Sequence, residues 1–315
     1  ENTASGIYST ISGGDAYSTS EAYGLRPPYT NIDGLTNYID IDTSLHAITF
    51  SGANLFINSG SGSTEDGGSL TGLGNVIIGY DENDGTQSKS GSHNLVIGPN
   101  NSYTGYAGLV SGGGNSLLSS KGAIIGGHGS TVTGVGGTVL GGYQNLASGS
   151  YSSVASGYGN TASGDYSSSA GGSDNVSSGS YASICAGYGN TASGEYASIS
   201  GGSESEASGE HSSVGGGREQ VASGDYSSAP GGRNNAVEGS YSVITAGSSN
   251  RTVETYSSIH GGIENIANGF YSSLCGGREN YSGADYSWLG GGYNNTTSSA
   301  YSSISGGEGN ETTGD

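Results

Sequence analysis

Basic residues are scarce in this chain: seven Lys and Arg stand against 27 Asp and Glu, a formal net charge of −20 over 315 residues. No basic patch can displace counterions from a phosphate backbone, which argues against nucleic acid and anionic membranes as partners. Hydrophobic residues make up only 31%, methionine is absent and phenylalanine occurs three times. No apolar run approaches the ~18 residues that span a bilayer, so no membrane insertion is expected. Two cysteines cannot build a disulfide framework. No signal peptide is visible. So thin an apolar supply cannot fill one large central core. On composition alone the chain would read as disordered.

What is abundant reverses that reading. Glycine contributes 64 residues and tyrosine 23, and they recur in phase. From residue 100 onward the pattern N-x-A-S-G-x-Y-S-S-V-x-G-G-x-x repeats every fifteen residues. Coil starts fall at Asn100, Asn115, Ser130 and Asn145, and so on to Asn295, with Asn310 opening a further coil. The register is read as unbroken over fourteen coils. A fixed short period of this kind marks a solenoid, whose core is thin and repeated. A repeat also begins at Asn2 and the last one stops early, so both ends read as cuts through a longer array.

Counting the Asn as position 0, position 9 is aliphatic in most coils, from Leu109, Ile124, Val139 and Val154 to Leu289 and Ile304. Position 7 is small and shares a strand face with position 9, because side chains alternate with period two. Position 2 is often Ala. Position 12 is Gly in every complete coil and position 4 is Gly in most coils from Gly149 to Gly269. Glycine at two corners implies positive φ or close backbone approach. Fifteen residues then suit two strands and two tight turns, which predicts an all-β fold, a parallel β-solenoid or β-roll of two-strand coils.

Two columns are candidate functional positions. Position 0 supplies a structural ladder of Asn145, Asn160, Asn175, Asn190, Asn235, Asn250, Asn265, Asn280 and Asn295, stacked so that amides satisfy one another along the axis. Position 6 supplies Tyr106, Tyr151, Tyr166, Tyr181, Tyr196, Tyr226, Tyr241, Tyr256, Tyr271, Tyr286 and Tyr301, with His211 at one rung and Tyr8 in the N-terminal coil. Its parity is opposite to positions 7 and 9, so the rings should face away from the core as an aromatic ladder. The ladder serves either as a stabilising stack or chain contact, or as a face for glycan or protein. Position 5 adds Asp165, Glu195, Glu210, Asp225 and Asp285 beside it, read as a solvated charged edge that would discourage edge aggregation. Cys185 and Cys275 share position 10, six coils and so roughly 29 Å apart. They cannot bridge within one solenoid; they read as small fillers, with a bond between chains as the alternative.

The N-terminal third departs from phase. Residues 1–23 read as solenoid, 24–74 as a β-rich insertion or cap, 75–99 as irregular coils and 100–315 as the regular roll. The run Leu25, Arg26, Pro27, Pro28, Tyr29 would break a strand. Alternation predicts strands at 38–42 and 46–50, and more loosely at 53–57. The runs beginning at Asn75 and Asn94 are alike and nineteen residues apart, as if one coil carried a four-residue loop.

Enzyme signatures are missing. Lys89 and Lys121 lack a phosphate-binding loop frame, and the five histidines show no metal-ligand spacing. Neither a nine-residue calcium repeat nor a hexapeptide repeat fits. No enzymatic activity and no cofactor are expected.

The A-S-G-x-Y-S-S-V-x-G-G repeat with its Asn corner resembles the YadA-like head repeat of trimeric autotransporter adhesins. Ala147, Gly149, Ser152, Val154 and Ser156 sit at matching positions, and the match extends over residues 100–315 and 2–15. The period here is fifteen rather than that family's fourteen, and the tyrosine column is unusually regular. The resemblance implies a left-handed parallel β-roll, commonly trimeric, on a bacterial surface or phage-like fibre and used for adhesion. The expected function is an extracellular structural or adhesive solenoid at the bacterial cell surface. Self-association as trimer or filament is expected, with a host-surface, matrix or glycan ligand. The alternatives are a subunit of a self-assembling filament, and a glycan-binding or ice-binding solenoid.

Overall fold

The computed structural model describes residues 38–314 and, before them, two short strands, Thr3–Ala4 and Ser18–Thr19. The chain divides into two units, Glu1–Phe56 and Ile57–Asp315. In the first, Thr3–Ala4 pairs in parallel with Ser18–Thr19, Thr3 opposite Ser18, which is the fifteen-residue step of the repeat. An antiparallel hairpin joins Ile39–Asp42 to Ala47–Phe50. Its turn is closed by Asp42, whose Oδ1 accepts the Ser44 and Leu45 amides and the Ser44 hydroxyl, holding that carboxyl below its ordinary range. Residues 53–57 are not a strand. Among the described residues no strand pairs with them, and an alternating run without a ladder partner leaves its backbone unsatisfied. Tyr8 and the run from Leu25 to Tyr29 lie outside the described residues.

The second unit is a parallel β-solenoid of two sheets. One has sixteen strands, from Val76–Ile78 to Ser303–Ile304, and the other fifteen, from Ser102–Tyr103 to Glu311–Thr312. Each regular coil gives positions 8 and 9 to the first sheet and positions 1 and 2 to the second. Val76–Ile78 pairs with Leu95–Ile97 at a nineteen-residue offset, and Leu95 pairs with Leu109 at fourteen. The unbroken fifteen-residue register predicted from residue 100 is therefore corrected at its start. Two strands, Leu109–Gly113 and Ala123–His128, pair at offset fourteen up to Ile125 and at fifteen by His128, across an irregularity. Before that step the core and ladder columns sit one residue later than the repeat suggests, while Gly112 keeps position 12. Val110 fills the core and Leu109 does not, and the ladder amide comes from Asn101, not Asn100.

The core is the predicted thin column. Val110, Ile124, Val139, Val154, Ile184 and their successors at position 9 are buried, and face the small residues Ala147, Ala162, Ala192 and Ala207 at position 2. Position 7 is buried as well, as Ser or Ala. The apolar column is interrupted once: it runs to Ala162 and resumes at Ala182. In the gap lie buried Ser167, Ser169 and Ser177, and the Ser167 and Ser169 hydroxyls have no hydrogen-bond partner. Ser169 stands between Val154 and Ile184 in the ladder. Ser169→Val should stabilise the protein by about 1–3 kcal/mol, because it buries two methyl groups and removes an unpaired hydroxyl. Denaturant unfolding checks this, and a fall in midpoint would show the coil is already full.

Candidate functional site

The asparagine column is a hydrogen-bonded spine. All nine predicted residues accept the backbone N–H one coil on through Oδ1, as Asn265 does from Asn280 at 3.0 Å. Asn265 Nδ2 also donates to the Gly261 carbonyl in its own coil and to the Gly277 carbonyl of the next, at 3.2 and 3.0 Å. Each side chain therefore closes a corner and binds its neighbour, with almost no surface exposed. Where Ser130 and Ser205 replace Asn, the hydroxyl still accepts the next coil's amide.

The two glycine corners have different causes. At position 12 the backbone is left-handed, and a Cβ would also strike the next coil's carbonyl, as Gly157 would strike Gly172 at 2.2 Å. At position 4, φ is ordinary and only the approach is close: a Cβ on Gly149 would lie 2.0 Å from the Gly164 carbonyl oxygen. The positive φ at that end of the coil falls instead on position 6, the tyrosines themselves.

Every rung from Tyr151 to Tyr301, His211 included, has φ between 54 and 60°. The ring is thus turned outward by a left-handed corner rather than by strand alternation. Ten successive contacts link eleven rings at centroid distances of 4.7–5.3 Å, stacked within 21° of parallel. The internal rings are about half exposed and Tyr301, at the end, is 78% exposed. Left-handed backbone costs a non-glycine residue about 1–2 kcal/mol, while a stacked aromatic pair returns about 0.5–1.5 kcal/mol. The two nearly cancel, so a tyrosine is tolerable at this corner because its neighbours are aromatic. Tyr106 is not part of the stack. In its coil the left-handed residue is Ala107, and Tyr106 stands one position earlier, 5.9 Å below the Lys121 ammonium. The one-residue phase error at the start of the roll misplaced it.

The acidic column beside the ladder has a backbone role. Asp165, Asp225 and Asp285 accept the amides of Ser150, Glu210 and Phe270 in the preceding coil at 2.9–3.0 Å. Near Tyr226, partial burial, then Glu210, Tyr241 and Asp225, push the phenol above its ordinary range. Among the described residues no group of three His, Cys, Asp or Glu is placed to hold a metal ion. A second, shorter aromatic stack at position 13, His128, Tyr143 and Tyr158, went unpredicted. Its signal was present in the residue after the corner glycine, but Ser and Arg dilute it in later coils.

One cluster outside the repeat has the composition of a hydrolase triad: Ser59, Asp66 and His93. Its wiring is different. Asp66 is buried and accepts the Ser59 and Ser61 hydroxyls together with the amide and hydroxyl of Thr71. Those hydroxyls, Ser59 first, hold its carboxyl far below the usual range. His93 Nε2 accepts the Ser59 amide at 3.1 Å, and Nδ1 donates to the Thr64 carbonyl at 2.9 Å. Both nitrogens are committed to main chain, so neither faces the Ser59 hydroxyl, which instead donates to Asp66. The cluster pins the loop of residues 59–71 to the first coils. No helix among the described residues is long and apolar enough to cross a membrane. Cys185 and Cys275 are exposed rather than filling space.

Two substitution pairs test these columns. Asn265→Ala should destabilise by about 2–4 kcal/mol, leaving the Asn280 amide and the Gly261 carbonyl without partners while the Gly277 carbonyl keeps the Ile263 amide, whereas Asn265→Ser should lose clearly less. Tyr196→Val should lose at least about 1 kcal/mol more than Tyr196→Asn, since a β-branched residue resists left-handed φ and Asn accepts it. Urea unfolding midpoints measure both, and equal losses within either pair would contradict the assigned cause.

No family model matches this chain, and no curated protein matches it.

Proposed function

We propose that this chain is an extracellular structural or adhesive β-solenoid, a head or fibre segment of a bacterial surface protein without enzymatic activity. The observation that carries this reading is the eleven-ring stack, half exposed and regular at one coil per rung. A core built only for stability has no need to hold a row of aromatic edges in solvent. Exposed rings in a row suit a long ligand with repeating apolar faces, such as a glycan chain or an extended protein segment. The lack of basic patches and the high density of hydroxyls agree with a surface-exposed role. The resemblance to YadA-like heads supports the same reading. A subunit of a side-by-side assembly is the second reading, favoured by the uncharged outer face of the sixteen-stranded sheet.

Replacing Tyr181, Tyr196 and Tyr226 together by Asn retains the left-handed corners and removes the rings. The adhesive reading expects at least tenfold weaker binding to immobilised matrix proteins, glycans or cells, with the solenoid still folded by circular dichroism. Binding equal to that of the unsubstituted chain, or no binding by either, would rule the ladder out as the adhesive face.

A further inference from the structure

The outer face of the sixteen-stranded sheet is unlike every other surface of the solenoid. It is formed by positions 8, 10 and 11. From Thr138 to Gly306 these positions contain no Asp, Glu, Lys or Arg, in a chain of net charge −20. Position 8 is Ser in nearly every coil. Position 11 is Gly at 141, 201, 216, 231, 261 and 276, and nothing inside the chain requires it: φ is not in the left-handed region, and a Cβ would meet nothing within 4 Å. Ser156, Ala186 and Ala246 occupy the same position without difficulty. Glycine kept where neither φ nor neighbours demand it indicates a surface outside the chain that comes close. Like-charge repulsion disfavours contact between two copies on the acidic faces, and this face is free of it.

We propose that this face pairs with the same face of a second copy, antiparallel, and that the pair is latched by two disulfides, each joining Cys185 to the partner's Cys275. Both thiols are exposed at position 10 of this face. Midway between them, three coils from each, is Pro230. A twofold axis parallel to the strands, through the coil of Pro230, lays each column over its own copy and brings both cysteine pairs together at once. Disulfide geometry needs Cα atoms about 4.4–6.8 Å apart, nearer than the ~10 Å of ordinary stacked sheets; the Gly, Ala and Ser that fill most of positions 8, 10 and 11 permit that approach, with Pro230, Thr245 and His260 the bulkier residues of position 10 between the two latches.

An independent feature gives the same register. Trp288, the single tryptophan, lies outward on position 8 with its ring over Gly290, 40% exposed. It is four coils beyond Ser228, and the axis places it over the partner's Ser168, four coils before Ser228. Ser168 and Ala170 line a mostly apolar groove with Leu140, Ser153 and Ala155, of about 300 Å³. The tryptophan of each copy is thereby seated at the other's groove.

Bond formation balances with a small-molecule disulfide such as oxidised glutathione. The Cys185 thiolate attacks it, forming a mixed disulfide and releasing one glutathione thiol. The partner's Cys275 thiolate then attacks the Cys185 sulfur and expels the second. Two protein thiols are oxidised and one glutathione disulfide is reduced per bond. Pairing of this kind stands whether or not the tyrosine ladder binds a ligand.

The test uses the full chain treated with oxidised glutathione, followed by non-reducing electrophoresis, native mass and thiol titration. The expected product has twice the chain mass and no free thiol, with tryptophan emission shifted to the blue. Cys185→Ser and Cys275→Ser should each abolish the covalent dimer, while mixing the two variants restores one bond per pair. Gly231→Glu should fold with unchanged melting temperature yet fail to pair, because it faces the partner's Gly231 across the axis. Monomers that retain both thiols, single-cysteine variants that still cross-link, a trimer with free thiols, or a Gly231→Glu chain that pairs normally would each overturn the proposal.

Discussion

Parallel pairing at one coil per step constrains everything else in this solenoid. Because each strand lies over the strand fifteen residues away, every side chain sits about 4.8 Å from its own equivalent above and below. A residue is therefore selected by how well it stacks on itself. Asn does so through a donor and an acceptor at opposite ends of one amide, and repeats without frustration. Aliphatic residues and aromatic rings do so by packing. Charges do so only at a cost, since two carboxylates at that spacing repel by about 1 kcal/mol even in water, and the longest run of the acidic column is three rungs, Glu195, Glu210 and Asp225. Accordingly, Glu204 and Glu219, one coil apart, are bridged by Arg218, and the acidic column is broken by Ser180, Ser240 and Ala300.

The same constraint explains the corners. Coils that stack this closely leave no room for a Cβ where carbonyls of adjacent turns meet, so Gly149 and Gly157 owe their identity to approach. The left-handed turn between the two sheets falls on tyrosine, whose backbone strain and stacking energy are of similar size. Folding and presentation are coupled at this column: the strain turns the ring outward, and the neighbours' rings offset the strain. The outer face of the longer sheet follows a different rule, since its open glycines and lack of charge answer to no neighbour within the chain.

Most of the architecture was legible because the period is fixed and the columns differ sharply in chemistry. The aliphatic column, the Asn column and the glycine column could be assigned before any coordinate was known. The errors of phase share one origin. At residues 100–110 the sequence offers duplicates, Asn100 with Asn101 and Leu109 with Val110, so a one-residue slip leaves the pattern nearly intact. The irregularity between Ile125 and His128 absorbs that slip, and only strand pairing reveals which duplicate is inside. Tyr106 was drawn into the ladder by the same ambiguity. The Asp66 cluster was invisible for another reason: Ser59 and His93 are 34 residues apart, outside any repeat.

By itself the sequence determined the period, the two-sheet parallel coil and which residue types stack, because translational repetition makes each column report its own environment. Tertiary structure alone decided the phase of the first coils, since duplicated residues are degenerate until strands pair. It also decided that the outward tyrosines stand on left-handed backbone, that both His93 nitrogens bind main chain, and that both cysteines are exposed. Each of these depends on backbone torsion or on contacts between distant segments, which a linear pattern does not encode.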